Sequence, residues 1–371
     1  MFETQMKKLL FISSLVILSC NSTIDIEKEK TLIKEQIERV HQAHLDKDAQ
    51  TFYQPNADSW IDIRNGKISR VNKSDVISGT QEYLNNMEFA QLKTIGEPII
   101  EVSNDASLAT YSSSVLVKGR LNDEPILWVV AWQNTLKKIE GEWKIISAVN
   151  TEANNLVTTS TILDEIRNSL GEYEVITSIS ALADCTDPEN NSFATLIYSN
   201  KENGRMEQIS GERHTIFKHG QESWGKNVVS ETVYDSLNDN LKVFAKSHEL
   251  HWLSLWPETR YSNPTFNGIV DFGNEKALKV SFEDDLNKPV NFYYDFESYL
   301  PLAFDIEIDN QGNTVTTYFE NWKEKDSVKM FNNATFDQMG MQFKYSYSEI
   351  NLNSLNPQDF DSKKAVLNQQ P

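Results

Sequence analysis

Short alternating strands separated by turn residues occupy almost the whole chain after Val175, and this pattern limits the fold more than any other feature. Apolar and polar residues alternate over stretches of five to ten residues, which predicts half-buried strands. A meander of this length must curl or close to protect its edges. One helix is predicted at Thr161–Leu170 and one helical insert at Leu237–Leu253. The turns are predicted at Asn203-Gly204, Gly273-Asn274, Asn287-Lys288-Pro289 and Gln311-Gly312-Asn313.

The first half of the chain begins with helices and continues with long strands. Helical spacing of apolar residues predicts a helix at Glu27–Asp46, and two shorter helices are predicted at Asp48–Gln54 and Lys73–Asn86. Asn65-Gly66 between two alternating segments predicts a tight hairpin. Helices followed by antiparallel strands predict the α+β class, with the helices on one face of the sheet. The remaining strands are predicted at Thr94–Ser103, Ala106–Gly119, Pro125–Lys138 and Glu142–Thr151.

The order of elements in residues 27–152 resembles the nuclear transport factor two-like superfamily, which includes SnoaL-type and ketosteroid isomerase proteins. Three segments carry the resemblance: Leu45–Tyr53, Asn56–Trp60 and Gly141–Ile146, the last with the pattern Gly-x-Trp-Lys-Ile. The resemblance implies a cone-shaped curved sheet packed on helices. It also implies an interior that holds an apolar ligand and a domain that often forms a homodimer through its sheet.

Residues 157–360 resemble the lipoprotein-carrier superfamily of LolA- and LolB-like proteins. The resemblance rests on Asn291–Asp295, Tyr299-Leu300-Pro301 and Tyr318–Trp322, and on the paired strands that follow. It implies an antiparallel half-barrel with few helices, whose concave face receives acyl chains. Residues 361–371 are predicted to form a polar tail.

Enzymes of the first superfamily place an aspartate or a histidine inside the cone. The catalytic candidates here are His41, His44 and Asp58. Asp62 lies between Ile61 and Ile63, so it is predicted to face solvent if those isoleucines face the core. A histidine that transfers protons needs a carboxylate to orient it, and a packing or surface role is the simpler interpretation of these residues.

Five tryptophans are candidates for lining a ligand pocket. Trp128 and Trp132 are four residues apart on one predicted strand and therefore share a face. Trp252 and Trp256 belong to an apolar insert that either closes the core or covers the concave face as a lid. The alternative for the whole set is ordinary core packing. The candidates are Trp60, Trp128, Trp132, Trp252 and Trp256.

Two further motifs carry weaker signals. His248-Glu249-Leu250-His251 lacks the spacing of a zinc-binding H-E-x-x-H helix, so a surface or packing pair is the preferred interpretation. Cys185 has no cationic neighbour in sequence to activate its thiol and is predicted to be inert. No cofactor or metal is expected.

The N-terminus resembles the signal of a bacterial lipoprotein. Met6-Lys7-Lys8 precedes the short apolar run Leu9–Leu18, and Ile17-Leu18-Ser19-Cys20 resembles a lipobox. The resemblance implies cleavage after residue 19, acylation of Cys20 (diacylglycerol and a further chain such as palmitate) and a tether over 20–26. We therefore expect a lipid-anchored protein of the cell envelope, and the outer membrane is the favoured site.

The charge of the chain excludes one class of partner. Lys and Arg number 35 and Asp and Glu number 54, a net charge of −19. Removing residues 1–19 takes away Glu3, Lys7 and Lys8, which leaves −19 − 1 = −20. Such a chain repels nucleic acid.

The predicted function is non-enzymatic: binding of an apolar small molecule or lipid, or an interaction module of the envelope. The alternative is a lyase or isomerase acting in the N-terminal cone.

Overall fold

A computed structural model describes residues 24–64, 66–153, 157–307 and 313–368. These residues form two compact units that divide at residue 157. Both units are mostly β-sheet with a few helices, in agreement with the α+β class, and neither sheet closes into a barrel. The predicted signal peptide and Cys20 lie outside the described residues.

In the described part of the N-terminal unit there are three helices and one sheet of six strands in the order β2-β1-β6-β5-β4-β3. Neighbouring strands are antiparallel except β1 and β6, which are parallel. Arg64 pairs with Lys67 at the predicted hairpin. The elements are α1 (Ile26–Leu45), α2 (Ala49–Phe52), β1 (Asn56–Arg64), β2 (Lys67–Asn72), α3 (Lys73–Asn85), β3 (Met87–Val102), β4 (Leu108–Leu121), β5 (Glu124–Ile139) and β6 (Glu142–Ala153).

Helix α1 is anchored to the sheet at its N-terminal end. Asp25 caps the helix by accepting a hydrogen bond from the Lys28 amide. The Glu29 carboxylate accepts hydrogen bonds from Lys138 Nζ (2.6 Å) and Trp143 Nε1 (2.7 Å). The helix buries Ile33, Ile37, Val40 and Ala43. Leu32 and Leu45, which also fall near helical spacing, are each 41% exposed.

The C-terminal unit contains one sheet of thirteen strands, β12-β11-β10-β9-β8-β7-β19-β18-β17-β16-β15-β14-β13. Strands β7 to β12 follow one another to one edge of the sheet. The chain then passes through two helices to the opposite edge, and strands β13 to β19 follow one another back until β19 pairs with β7. The elements are α4 (Thr159–Ser169), β7 (Ser178–Thr186), β8 (Ser192–Asn200), β9 (Gly204–Ser210), β10 (Arg213–His219), β11 (Trp224–Asn227), β12 (Thr232–Tyr234), α5 (Asp239–Ser247), α6 (Leu250–Leu255), β13 (Ser262–Phe272), β14 (Glu275–Glu283), β15 (Pro289–Asp295), β16 (Pro301–Glu307), β17 (Thr314–Lys325), β18 (Val328–Gln338), β19 (Met341–Leu352) and α7 (Pro357–Asp361).

Helix α4 contacts β13, helix α5 contacts β9 and β10, and helix α6 contacts β7. The predicted insert at Leu237–Leu253 is two helices, because the chain turns at His248 and Glu249 between α5 and α6. All six side chains of α6 are buried. The face of the sheet that carries the core is rich in aromatic rings, with Phe292, Phe304 and Phe331 fully buried.

The segment predicted as a polar tail forms hydrogen bonds with two side chains of β9, although most of its own described side chains are exposed. Arg205 on β9 donates to the carbonyls of Ser362 and Lys364, at 3.2 and 2.9 Å. The Glu207 carboxylate accepts the amides of Val366 and Leu367. The side chains of Arg205 and Glu207 are completely buried at these contacts, which no local pattern indicated.

Candidate functional site

The N-terminal unit encloses a cavity of about 540 Å³ between its helices and one face of its sheet. This volume lies within the range of small-molecule sites, about 300–1,000 Å³. Most of the wall is aromatic or aliphatic, as such sites usually are. The apolar lining includes Ile37, Val40, Phe52, Trp60, Leu84, Phe89, Leu92, Val117, Trp128, Val130 and Trp132.

Three of the five candidate tryptophans lie in this wall. Trp128 and Trp132 line it together, as their shared parity on β5 requires. Trp60 joins them from β1, with 3% of its surface exposed. Trp143 lies in the neighbouring packed core instead, where Glu29 holds its indole nitrogen.

His44 lines the cavity, but its surroundings are those of a packing histidine. Its Nδ1 donates to the Val40 carbonyl one helical turn earlier (3.0 Å), since a carbonyl oxygen can only accept. The ring stacks on Trp132 and meets Phe52 edge-on. Burial lowers the pKa of His44 to about 4, so it is neutral and a weak base at pH 7. A general base works best with a pKa near the operating pH.

The other two catalytic candidates do not join His44 on the wall. His41 packs its ring against Trp132, and burial lowers its pKa. Among the described residues, its Nε2 has no hydrogen-bond partner. Asp58 is exposed at the entry of β1. The three candidates therefore do not form a histidine–carboxylate pair.

One end of the same cavity is polar, and this corrects the expectation for Asp62. Asp62 and Arg64 line the cavity with Trp60, so it is the even-numbered face of β1 that faces inward. The parallel register places Asp62 beside Ala148 and Arg64 beside Asn150. Ile61 and Ile63 are half-buried on the opposite face of β1, so the condition under which Asp62 would face solvent is not met.

The C-terminal unit contains a second cavity, of about 560 Å³. Helix α5 forms one side, strands β8 and β9 another, and strands β16–β19 with the loop before β15 the rest. Five aromatic and four aliphatic side chains supply its apolar lining. They are Phe193, Val243, Phe244, Leu286, Ile306, Val315, Phe336, Phe343 and Tyr345.

The two tryptophans of the insert lie elsewhere in this unit. Trp252 is 3% exposed and packs against Trp256, with ring centroids 4.4 Å apart. Its indole nitrogen donates to Thr259 Oγ1 at 2.8 Å, and the Arg260 guanidinium lies over its ring. Neither tryptophan lines the cavity. The insert contributes to the wall through α5, so the structure favours core packing over a lid for Trp252 and Trp256.

His248 and His251 point into different surroundings. His248 lines the C-terminal cavity, stacks on Phe336, and donates from Nδ1 to the Phe244 carbonyl at 2.8 Å. His251 stacks on Phe331 and bonds through Nε2 to its carbonyl at 3.0 Å. Burial lowers the pKa of each to about 4. The described part of the chain contains no group of three side chains able to hold a metal.

A buried ionic cluster lies beside α6, and sequence reasoning missed it. Glu249 accepts a bidentate pair of hydrogen bonds from Arg260 (2.9 and 2.8 Å) and one contact from His219 Nε2. Arg260 also donates to the carbonyls of Asn200 and Lys201. A side chain at Gly204 would clash with both His219 and Glu249, so the cluster needs glycine there.

The electrostatics of this cluster point to a structural role. Burial would raise the pKa of Glu249, but the charges of Arg260 and His219 outweigh burial and hold it at about 2. A carboxylate so strongly held as the anion is a poor proton carrier at neutral pH. In the sequence these are three separate charged or titratable residues in apolar surroundings. Glu249 is 11 positions from Arg260 and 30 from His219, so no local pattern indicates that they pair.

Cys185 is 3% exposed on β7, and burial raises the pKa of its thiol to about 12. The thiolate, which is the reactive form, is therefore almost absent at neutral pH. This agrees with the predicted inert cysteine.

No protein-family model and no curated protein match the chain. Among solved structures, a nuclear transport factor two-like protein from Cytophaga hutchinsonii is 16% identical, covers 33% of this chain and 98% of its own, and has a TM-score of 0.29. A LolA superfamily protein from Nitrosomonas europaea is 13% identical, covers 55% and 97%, and has a TM-score of 0.41. A domain named for outer membrane lipoprotein sorting, from Vibrio parahaemolyticus, is 15% identical over 55% and 96%, with a TM-score of 0.42. We base the function below on the cavities of this chain.

Proposed function

We propose that this chain is a lipid-anchored envelope protein that binds an apolar ligand, such as the acyl chain of a lipid, without catalysing a reaction. In this proposal the six-stranded sheet is a nuclear transport factor two-like cone and the thirteen-stranded sheet a LolA-like half-barrel. The supporting observation is the 560 Å³ cavity of the C-terminal unit, with nine apolar side chains in its wall. An apolar wall of this size gains free energy by taking apolar surface out of water.

The N-terminal cavity supports binding better than catalysis. Its wall carries a neutral histidine whose hydrogen bond goes to a backbone carbonyl. A lyase or isomerase would need a proton carrier with a pKa near 7, held against a carboxylate. His44 meets neither condition. His41 Nε2 has no hydrogen-bond partner among the described residues and Asp58 is exposed, so the enzymatic alternative has no histidine–carboxylate contact to support it.

Filling the C-terminal cavity should abolish ligand uptake. Val243 on α5 lines the cavity, so Val243→Trp places an indole where the ligand would lie. We expect the parent protein to bind 1-dodecanol with a rise in the midpoint of thermal unfolding, and the variant to lose that rise. Val229→Trp is the matched control, because Val229 is 58% exposed and does not line the cavity.

The measurement is thermal unfolding with and without 1-dodecanol, combined with native mass spectrometry for lipid that purifies with the protein. The unliganded midpoints show whether Val243→Trp is folded. A parent protein that neither carries lipid nor responds to the alcohol would refute the binding function.

The anchor is tested separately. Stable attachment takes more than one acyl chain, which the lipobox resemblance implies for Cys20. No helix of the described residues is both long and apolar enough to span a bilayer. Because Cys20→Ala removes the thiol that would be acylated, it should shift the protein from the membrane fraction to the soluble fraction, or leave the signal uncut, as judged by fractionation and intact mass. A variant that is cleaved and still membrane-bound would contradict the lipoprotein proposal.

A further inference from the structure

Most of the charged side chains that line the C-terminal cavity are negative. Among the described residues that line it, three carry carboxylates and one carries an ammonium group: Asp187, Asp284, Glu307 and Lys288. The nearby Lys246 and Asp285 form an ion pair with each other (2.6 Å) and add no net charge. The surroundings of the cavity are therefore anionic.

Asp284 is the most buried of these carboxylates, at 4% exposed. Its Oδ1 accepts the backbone amides of Leu286 and Lys288, both at 2.8 Å, which fixes the side chain at the cavity wall. Its Oδ2 is buried and has no hydrogen-bond partner among the described residues. A buried carboxylate oxygen without a donor is costly, so a cation brought near it is stabilised.

The hydroxyl of Tyr261 is also buried without a hydrogen-bond partner in the described chain. Burial raises the pKa of Tyr261, and the charges of Glu249 and Asp284 raise it further. The phenol therefore stays protonated and neutral, and it adds no negative charge. A protonated amine carries three N–H donors and can give one of them to Asp284 Oδ2.

His248, which lines the cavity, does not offset the negative charge of the lining carboxylates. The pKa of His248, lowered to about 4 by burial, leaves the ring neutral at pH 7. Its Nδ1 hydrogen is given to the Phe244 carbonyl, so its Nε2 is an acceptor. An anionic head group would thus meet carboxylates and a lone pair, with Lys288 as the one lining cation among the described residues.

We propose that the ligand of the C-terminal cavity is a cationic amphiphile, with an alkyl chain against the apolar wall and a protonated amine near Asp284. This inference rests on the proposed binding function and adds the class of head group. It excludes free fatty acids as the preferred ligands, because their carboxylates would be repelled.

The test compares three probes with the same twelve-carbon chain: dodecylamine, 1-dodecanol and dodecanoate. Isothermal titration at pH 7, below the concentrations at which they form micelles, gives each affinity. An alkylamine is protonated at this pH, as lysine is. We expect the amine to bind the parent protein at least about tenfold more tightly than the acid, with the alcohol between them.

Asp284→Asn removes the charge but keeps an amide oxygen for the Leu286 and Lys288 amides. It should bring the affinities for amine and alcohol to within about threefold of each other. Asp285→Asn, a neighbouring carboxylate that does not line the cavity, should leave the amine preference unchanged.

The outcomes separate the two proposals. Equal affinities for amine and acid in the parent protein would overturn the cationic head group and leave apolar binding intact, and this result needs no variant. An amine preference that survives Asp284→Asn in a folded protein would assign it to the overall negative charge and also overturn the inference. If none of the three probes binds, the proposed binding function itself fails.

Discussion

Replacing Glu249 by glutamine is expected to lower the free energy of unfolding of the C-terminal unit by about 3–5 kcal/mol, the usual cost of breaking a buried ion pair. Glutamine keeps the shape of the side chain and removes its charge. Arg260 would then be left as a buried cation, 6% exposed, without the carboxylate that now takes two of its hydrogen bonds. His219, 3% exposed, would lose its partner as well.

Denaturant unfolding followed by far-ultraviolet circular dichroism measures this effect. The matched control is Glu231→Gln, which breaks the ion pair with Lys226 where the glutamate is 74% exposed. Exposed pairs contribute about 0–1 kcal/mol, so the control should remain close to the parent. Equal losses for the two variants would mean that the buried cluster gives no more net stability than a surface pair.

Lowering the pH from 6.5 to 4 is expected to destabilise the C-terminal unit by several kcal/mol. His248 and His251 have pKa values of about 4 in the folded protein because burial disfavours their charged forms, whereas the unfolded chain binds protons near 6.5. Between these values the unfolded state holds more protons, so stability falls as the pH falls. One pKa unit corresponds to about 1.4 kcal/mol, which gives an upper figure of roughly 3 kcal/mol for each histidine.

Glu249 acts in a different window. Its pKa is about 2 in the folded protein against 4.5 for the free side chain, so its contribution is present above pH 4.5 and is lost as the pH falls towards 2. The two effects therefore separate along the pH axis. Loss of stability between 6.5 and 4 belongs to the histidines, and the further loss below 4.5 belongs increasingly to the carboxylate.

The free energy of unfolding should be measured at half-unit steps from pH 7.5 to 3.5 for the parent protein and for His248→Phe with His251→Phe. The double variant should show a shallower dependence between pH 6.5 and 4, whatever its absolute stability. His214 and His219, which contact Glu207 and Glu249, are retained in both proteins. A parent protein with constant stability across this window would contradict the assignment.

Local patterns predicted the elements of this chain well. Apolar spacing located α1 to within one residue at each end. Strand alternation placed Trp128 and Trp132 together, which the cavity wall confirms. Each of these depends on residues a few positions apart, where backbone geometry alone decides which side chains share a face.

Local sequence patterns did not predict the long-range contacts. The parallel pairing of β1 with β6 and the closure of the sheet by β7 and β19 join distant segments. The sequence left the face of Asp62 open, because alternation identifies two faces but not which of them the helices cover. The lid predicted for Trp252 and Trp256 is disfavoured, because Trp252 lies on the wholly buried α6 and Trp256 packs against it.

The sequence by itself determined most of the helices and strands and the sharing of faces within each strand, since these follow from backbone geometry and from the spacing of apolar residues. It did not predict strands β11 and β12 or helix α7. Only the tertiary structure decided which charges meet. Arg205 and Glu207 are buried by a C-terminal segment some 160 residues away, and Glu249 is held by Arg260 and His219. Such pairings have no local signature, because a buried charge needs a partner in space and the chain can supply it from any position.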